Sequence, residues 1–232
     1  MVTGAAMSDE QAAVSRIELS VDGERPLSAE TVDAVAGMCR RAEDADGAAV
    51  VVLRVSGTPR GEWARDLNLR LVNRWEQALR RLERVPATTI ALAAGACGGP
   101  ALDVLLATDH RIAARSVRLV LPMQGGLVWP GMALYRLARQ APSATAVRQA
   151  ALYGTAIGLD DALALHLVHE VTGDVEAALG VAVGRAAAVS GTELAVRRQL
   201  ALDAPTVAFE EALGTHLAAV DRALRIAAGT PS

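Results

Sequence analysis

The sequence predicts an α/β fold with a helical C-terminal portion, on three observations. Short Val- and Ala-rich runs alternate with longer stretches of helical periodicity, the pattern of strands connected by helices. The run at residues 48–55 is almost unbroken apolar, as in a strand covered on both faces. From about residue 175 the chain turns Ala-rich and helical, with breaks near Gly191 and Pro205.

The elements follow in order. Residues 17–21 alternate like an edge strand. Ser28 is a good N-cap for a helix over 29–42, with Glu30 placed to favour its first turn. After the strand at 48–55, residues 56–62 form a Gly/Pro loop. Residues 66–85 are amphipathic, with Leu71, Trp75, Leu79 and Leu82 on one stripe. A second buried strand is expected over 88–94. Gly95 to Gly99 reads as a glycine-rich turn, and Pro100 opens a helix that runs to about Thr108. Residues 110–114 and 117–121 read as a short strand pair. Helices are expected at 132–140, 144–153 and 159–166, and a strand at 167–171. The division expected is a disordered segment 1–16, a core 17–174 and a helical C-terminal region 175–232.

Composition narrows the function classes. Among 232 residues, 52% are hydrophobic and only 3% aromatic, so Ala, Val and Leu must fill the core. A net charge of -3 gives no footprint for nucleic acid or an anionic membrane. All 23 basic residues are Arg, which excludes a Schiff-base lysine and a phosphate-binding P-loop lysine. Cys39 and Cys97 lack metal-ligand spacing and form no disulfide framework. His110, His166, His169 and His216 also lack metal spacing and read as surface or packing residues, so no metal centre is expected. With no apolar leader and no long apolar stretch, a cytoplasmic protein is expected.

Several stretches, taken together, resemble the enoyl-CoA hydratase/isomerase (crotonase) family. They are Arg25-Pro26-Leu27-Ser28, the strand and loop of 48–67, the glycine turn and helix of 93–108, Asp109-His110-Arg111-Ile112-Ala113, Leu121-Pro122 through Pro130-Gly131, and Leu159-Asp160-Asp161-Ala162-Leu163-Ala164-Leu165-His166-Leu167-Val168. His166 stands where the family has Gly. The resemblance covers about residues 17–171. It implies a crotonase-like ββα spiral core, with the C-terminal helices as a trimerisation-type region and a homotrimer or hexamer as the assembly. It also implies an acyl-coenzyme A thioester as ligand, with no permanently bound cofactor.

In that family two backbone N–H groups stabilise the thioester oxygen, and removing one such donor typically costs ~100- to 1000-fold in rate. Carboxylates then move the protons. The resemblance maps the first donor onto Arg65, after Ala64, and the second onto Pro100, which has no N–H. Gly99 replaces it only if the turn shifts. The first carboxylate maps to Asp103, one methylene shorter than the usual Glu; the second maps to Met123, which transfers no proton. The same mapping places Trp63, Ala64 and Arg60 at coenzyme A-binding positions, and Gly98, Met123 and Trp129 around the acyl pocket. Blander readings stand beside these. Asp103 favours a helix first turn by the dipole alone, Pro100 is a good helix starter, and Arg60 and Arg65 are equally solvated loop charges. Cys97 reads as a small buried residue.

A narrower resemblance rests on Trp75-Glu76-Gln77-Ala78-Leu79-Arg80-Arg81-Leu82-Glu83-Arg84, Cys97-Gly98-Gly99, residues 101–109 and Trp129-Pro130-Gly131-Met132-Ala133-Leu134-Tyr135-Arg136-Leu137. These are similar to an actinobacterial subgroup that accompanies a type III polyketide synthase making 3,5-dihydroxyphenylacetyl-CoA, a step toward dihydroxyphenylglycine in glycopeptide antibiotics. The resemblance implies an accessory role beside that synthase. Two other functions remain open: an enoyl-CoA hydratase, dehydratase or isomerase using Asp103 alone, and a non-catalytic subunit of an oligomer mixed with a sister crotonase-like protein.

Overall fold

The computed structural model describes residues 14–45, 49–65, 67–187 and 191–229. Most of the segment 1–16, together with Ala48 and Asp66, falls outside the described residues. Ser15 and Arg16 are described and are ordered in a strand, because they pair with the neighbouring strand at Ala49 and Val50.

One parallel sheet organises the chain. Strand β1 (Ser15–Asp22) lies along β2 (Ala49–Gly57), which pairs with β3 (Thr88–Gly98); β4 (His110–Ala114) and β8 (Glu170–Thr172) complete the order β1-β2-β3-β4-β8. Strand β2 is buried on both sides, as its composition predicts. Val51, Leu53 and Val55 face one layer, and Val50 and Val52 face the other.

The first layer holds three helices. Helix α1 (Ala29–Glu43) starts at Ser28, whose hydroxyl accepts the Thr31 N–H at 3.3 Å. Helix α2 (Leu69–Leu82) begins three residues later than its periodicity implies, because Asn68 caps it by accepting the Leu71 N–H at 2.9 Å. Helix α3 (Pro100–Leu106) is short, and all of its residues are buried. The second layer is α7 (Val175–Ala187), whose Ala178, Leu179, Ala182 and Ala186 pack on Val50, Val52, Ile90, Leu92 and Ile112.

Two expectations are corrected near the sheet's C-terminal end. The glycine-rich stretch is no simple turn, since β3 continues through it to Gly98. Gly95 sits at φ 62°, and the register jumps from Ser56↔Ala94 to Gly57↔Cys97, so the strand bulges instead of ending. The extended part of β3 then pairs with β5 (Arg118–Val120). Strands β4 and β5 are therefore not partners of each other: β4 takes the first half of β3 and β5 the second.

The remaining elements are β6 (Met123–Gln124) and β7 (Leu127–Val128), α4 (Ala133–Gln140), α5 (Ala144–Tyr153) and α6 (Leu159–Ala164), then α8 (Thr192–Asp203) and α9 (Phe209–Ala227). The hairpin β6–β7 turns at Gly125 and Gly126, both at positive φ. His166 has φ 54°, the left-handed backbone that explains why Gly is usual at its place in the resemblance. The strand expected at 167–171 begins at Glu170, because the Leu167 and Val168 amides turn back to the Ala162 carbonyl.

Arg198 fastens α8 to the core. It donates twice to Asp109, at 2.7 Å each, and to the carbonyls of Val85 and Ala87 at 2.6 and 2.8 Å. Helix α9 buries no residue.

Candidate functional site

The end of β3 and the start of α3 form the floor of the site. Gly99 takes φ 55° and ψ -128°, and Pro100 is the first helical residue, so the position of the second implied donor carries a ring nitrogen. The loop after β2 lies directly over this turn. A Cβ on Gly99 would stand 2.5 Å from Pro59 Cγ and 3.6 Å from the Trp129 ring. One on Gly98 would strike the Thr58 side chain. Both glycines are therefore required by close approach.

The turn of the first implied donor is closed internally. Arg65 N–H donates to the Glu62 carbonyl at 3.1 Å, and Ala64 N–H donates to Gln124 Oε1 at 3.1 Å. The charges of this loop are paired at the surface: Arg60 with Glu24 at 2.5 Å and Arg65 with Glu62 at 2.6 Å. Exposed pairs of this kind contribute little to stability, about 0–1 kcal/mol.

Asp103 lies one turn into α3 and is completely buried. Its Oδ2 accepts the Trp75 indole N–H at 3.0 Å and the Trp129 indole N–H at 2.7 Å. Its Oδ1 is buried without a hydrogen-bond partner. Burial pushes the carboxyl up to about 6; Glu76 adds to the rise, while the indole N–H groups and Arg136 oppose it. Gly131 makes this arrangement possible. A Cβ there would lie 2.6 Å from Trp129 Nε1, 2.8 Å from Asp103 Oδ1, and closer still to Oδ2.

Beside this cluster Arg136 is buried between two carboxylates. Its Nε donates to Glu83 at 2.8 Å, and Nη1 lies 2.9 Å from Glu76 Oε2 without hydrogen-bond alignment. Burial works against its charge, but Glu83 and Glu76 outweigh it and the pKa is raised.

The Trp63 and Trp129 rings meet at 5.3 Å and 56°. Trp63 then lines an apolar groove of about 360 Å³ with Ala64, Leu67, Val72, Leu127 and Pro130. A larger cleft of about 760 Å³ adjoins it, sharing Leu69, Val72 and Pro130 and running between α2, α4 and the end of α8.

The structure thus brings Trp63, Ala64, Gly98, Gly99, Pro100, Asp103 and Trp129 to one place. Arg60 and Arg65 stay in exposed ion pairs on the covering loop. Met123 is partly exposed on β6, with its sulfur toward Gly154. Cys97 is buried, its thiol pushed up to about 11 by desolvation. His169 stacks on His110 at 5.5 Å, and burial with Arg111 lowers it to about 4. Among the described residues no cluster of three His, Cys, Asp or Glu is placed to hold a metal, and no helix is long and apolar enough to cross a membrane.

Three contributors escaped sequence reasoning. Trp75 reads as an ordinary stripe residue, and nothing in its helical spacing announces a bond to Asp103. Gln124 had no signal. Gly131 had a faint one, a glycine flanked by Pro130 and Met132 where no turn was required.

Comparisons with known proteins agree with this architecture. The family described as Enoyl-CoA hydratase/isomerase matches residues 65–219. A curated relative from Amycolatopsis orientalis, named "Enoyl-CoA-hydratase", is 48% identical over 207 residues, covering 89% of this chain and 95% of its own. Among solved structures, an enoyl-CoA hydratase/isomerase family protein from Silicibacter pomeroyi superposes with a TM-score of 0.76 at 21% identity, covering 91% of this chain and 96% of its own. An enoyl-CoA hydratase from Mycobacterium smegmatis gives 0.76 at 16% identity, covering 90% and 87%. Those two likenesses speak for the fold; the family match and the Amycolatopsis relative carry the assignment, and the chain belongs to the enoyl-CoA hydratase/isomerase (crotonase) family.

Proposed function

We propose that this chain binds an acyl-coenzyme A thioester and assists a type III polyketide synthase in forming 3,5-dihydroxyphenylacetyl-CoA, on the way to dihydroxyphenylglycine, instead of hydrating enoyl-CoA. The observation that carries the reading is Pro100 at the head of α3, where the family's chemistry asks for an amide hydrogen. Three further features support it. By the resemblance Met123 maps to the second carboxylate position, Asp103 is sealed behind two indoles, and the apolar groove beside Trp63 offers room for an acyl group. The thioester is ligand, not resident cofactor, and Trp63, Ala64 and Arg60 are its proposed coenzyme A contacts. The assembly proposed is a cytoplasmic homotrimer or hexamer, built through α8 and α9.

Adding the purified protein to the synthase with malonyl-CoA tests the role directly. The rate of aromatic product rises with added protein if the reading holds; an unchanged rate at every ratio refutes it.

A second reading, an active hydratase or isomerase using Asp103, is favoured by one observation. Desolvation raises the Asp103 carboxyl to about 6, a range suited to proton transfer near neutrality once substrate displaces the indoles that cover it. It requires enoyl-CoA turnover that disappears in Asp103→Asn.

A further inference from the structure

We propose that Asp103 is a positioning residue: by bridging the indoles of Trp75 and Trp129 it fixes an aromatic wall that limits how deeply an acyl group penetrates, and so selects among acyl-CoA thioesters. This rests on the acyl-CoA reading above, and it assigns Asp103 a task other than moving protons.

The geometry has three parts. First, one carboxylate oxygen takes both N–H groups, at 3.0 and 2.7 Å, from indoles on two separate elements, α2 and the segment before α4. Neither oxygen opens on the groove: Oδ2 is held by the two indoles, and Oδ1 is buried without a hydrogen-bond partner. Second, the cluster is closed behind. Asp103 and Trp75 have no exposed surface, Trp129 has 3%, and only a glycine at 131 leaves space for the carboxylate and the Trp129 nitrogen together. Third, the wall backs the groove through Trp63, which stands between Trp129 and the cavity. Trp129 packs on Trp63 at 5.3 Å, and Trp63 lines the 360 Å³ groove. Side-chain position thus passes from Asp103 through Trp129 to Trp63.

A truncated wall would let the groove extend inward. A buried indole N–H left without an acceptor is also costly, so Trp129 would shift once Asp103 stopped holding it. The charged and titratable groups around Asp103 are Glu76 on α2 and Arg136 on α4. Glu76 favours the neutral carboxyl, and Arg136 and the two indoles favour the ion. A change in Asp103's charge is therefore felt by two of the three tryptophans in the chain.

The test uses the full chain as wild type, Asp103→Asn, Asp103→Leu and Trp129→Phe. Tryptophan emission is followed from pH 5 to 8, and calorimetry gives the affinity for decanoyl-CoA relative to acetyl-CoA. The wild-type emission should change with a midpoint near 6, and Asp103→Asn should be flat. The decanoyl-to-acetyl affinity ratio should rise about 10-fold in Asp103→Leu, equivalent to roughly 1.4 kcal/mol, and in the same direction in Trp129→Phe. Near-ultraviolet circular dichroism verifies folding; if Asp103→Leu does not fold, Trp129→Phe, which keeps a ring in place, decides. Folded variants with an unchanged ratio, or wild-type emission as flat as that of Asp103→Asn, overturn the proposal. Failure of the wild type to bind any thioester sinks the functional reading and the selectivity with it, whereas binding with unchanged preference sinks the selectivity alone.

Discussion

Helix α3 is seven residues long and every one is buried, whereas α9 runs for nineteen residues and buries none. Apolar residues make up five of seven positions in α3 and eleven of nineteen in α9, a difference too small to account for burial of all against none. What separates them is where their partners lie. Helix α3 is surrounded by its own chain: β1, β2, β3 and α4 pack on it, and two tryptophans bond to its one acid. Helix α9 leans on α8 through Arg222 and Glu193 and leaves Phe209, Leu213, Leu217 and Leu224 exposed. Apolar burial is worth roughly 25 cal/mol per Å² removed from water, so α3 is stabilised within the monomer and α9 lacks that contribution there.

Perturbations at the two helices should differ in size and kind. The largest loss is expected for Trp75→Ala, which empties a fully buried indole site and strips a donor from Asp103. Equilibrium urea unfolding should show about 3–5 kcal/mol of destabilisation. A much smaller value would mean that the α3 cluster is not as tightly determined as its burial implies. Gly131→Ala inserts a methyl against Asp103 and Trp129 and should cost about 1–3 kcal/mol in the same measurement.

The elements legible in the sequence were those whose cause is local. The Ser28 cap and the Val run of β2 announced themselves through neighbouring residues. The pairing of β5 with β3 did not, because it depends on the bulge at Gly95 carrying β3 onward; adjacency in sequence pointed instead to β4. The hairpin β6–β7 does carry a local signal, the Gly125–Gly126 pair between two short apolar stretches. At the site, Pro100 and Met123 were readable one residue at a time. The Trp75–Asp103–Trp129 bridge joins residues 28 and 26 positions apart, a contact that only tertiary packing creates.

The pH dependence of stability sharpens the same contrast. Burial raises Asp103 from an ordinary 3.8 to about 6, so the folded chain holds that proton more tightly than the unfolded one. Its contribution is full below 3.8 and lost as pH rises through about 6. His169 behaves oppositely. Lowered from 6.5 to about 4, it contributes fully above 6.5, and that contribution is lost as pH falls through about 4. Urea midpoints measured against pH should show the first effect vanish in Asp103→Asn and the second persist.

Arg198→Ala should release α8 from Asp109 and the carbonyls of Val85 and Ala87 at a cost of about 1–3 kcal/mol, with faster amide exchange confined to α8 and α9. Exchange that rises equally in α3 would erase the distinction between the two regions. The smallest effect on the monomer is expected for Leu217→Asp, within about 0.5 kcal/mol. Sedimentation should nevertheless show a lower mass if α9 joins subunits.

Binding without hydration is the central claim, and one sample tests it most directly. Crotonyl-CoA is titrated into the wild-type protein by calorimetry while the enoyl-thioester absorbance is followed. The account predicts saturable heat with the absorbance preserved over hours. Steady loss of absorbance that stops in Asp103→Asn would contradict it.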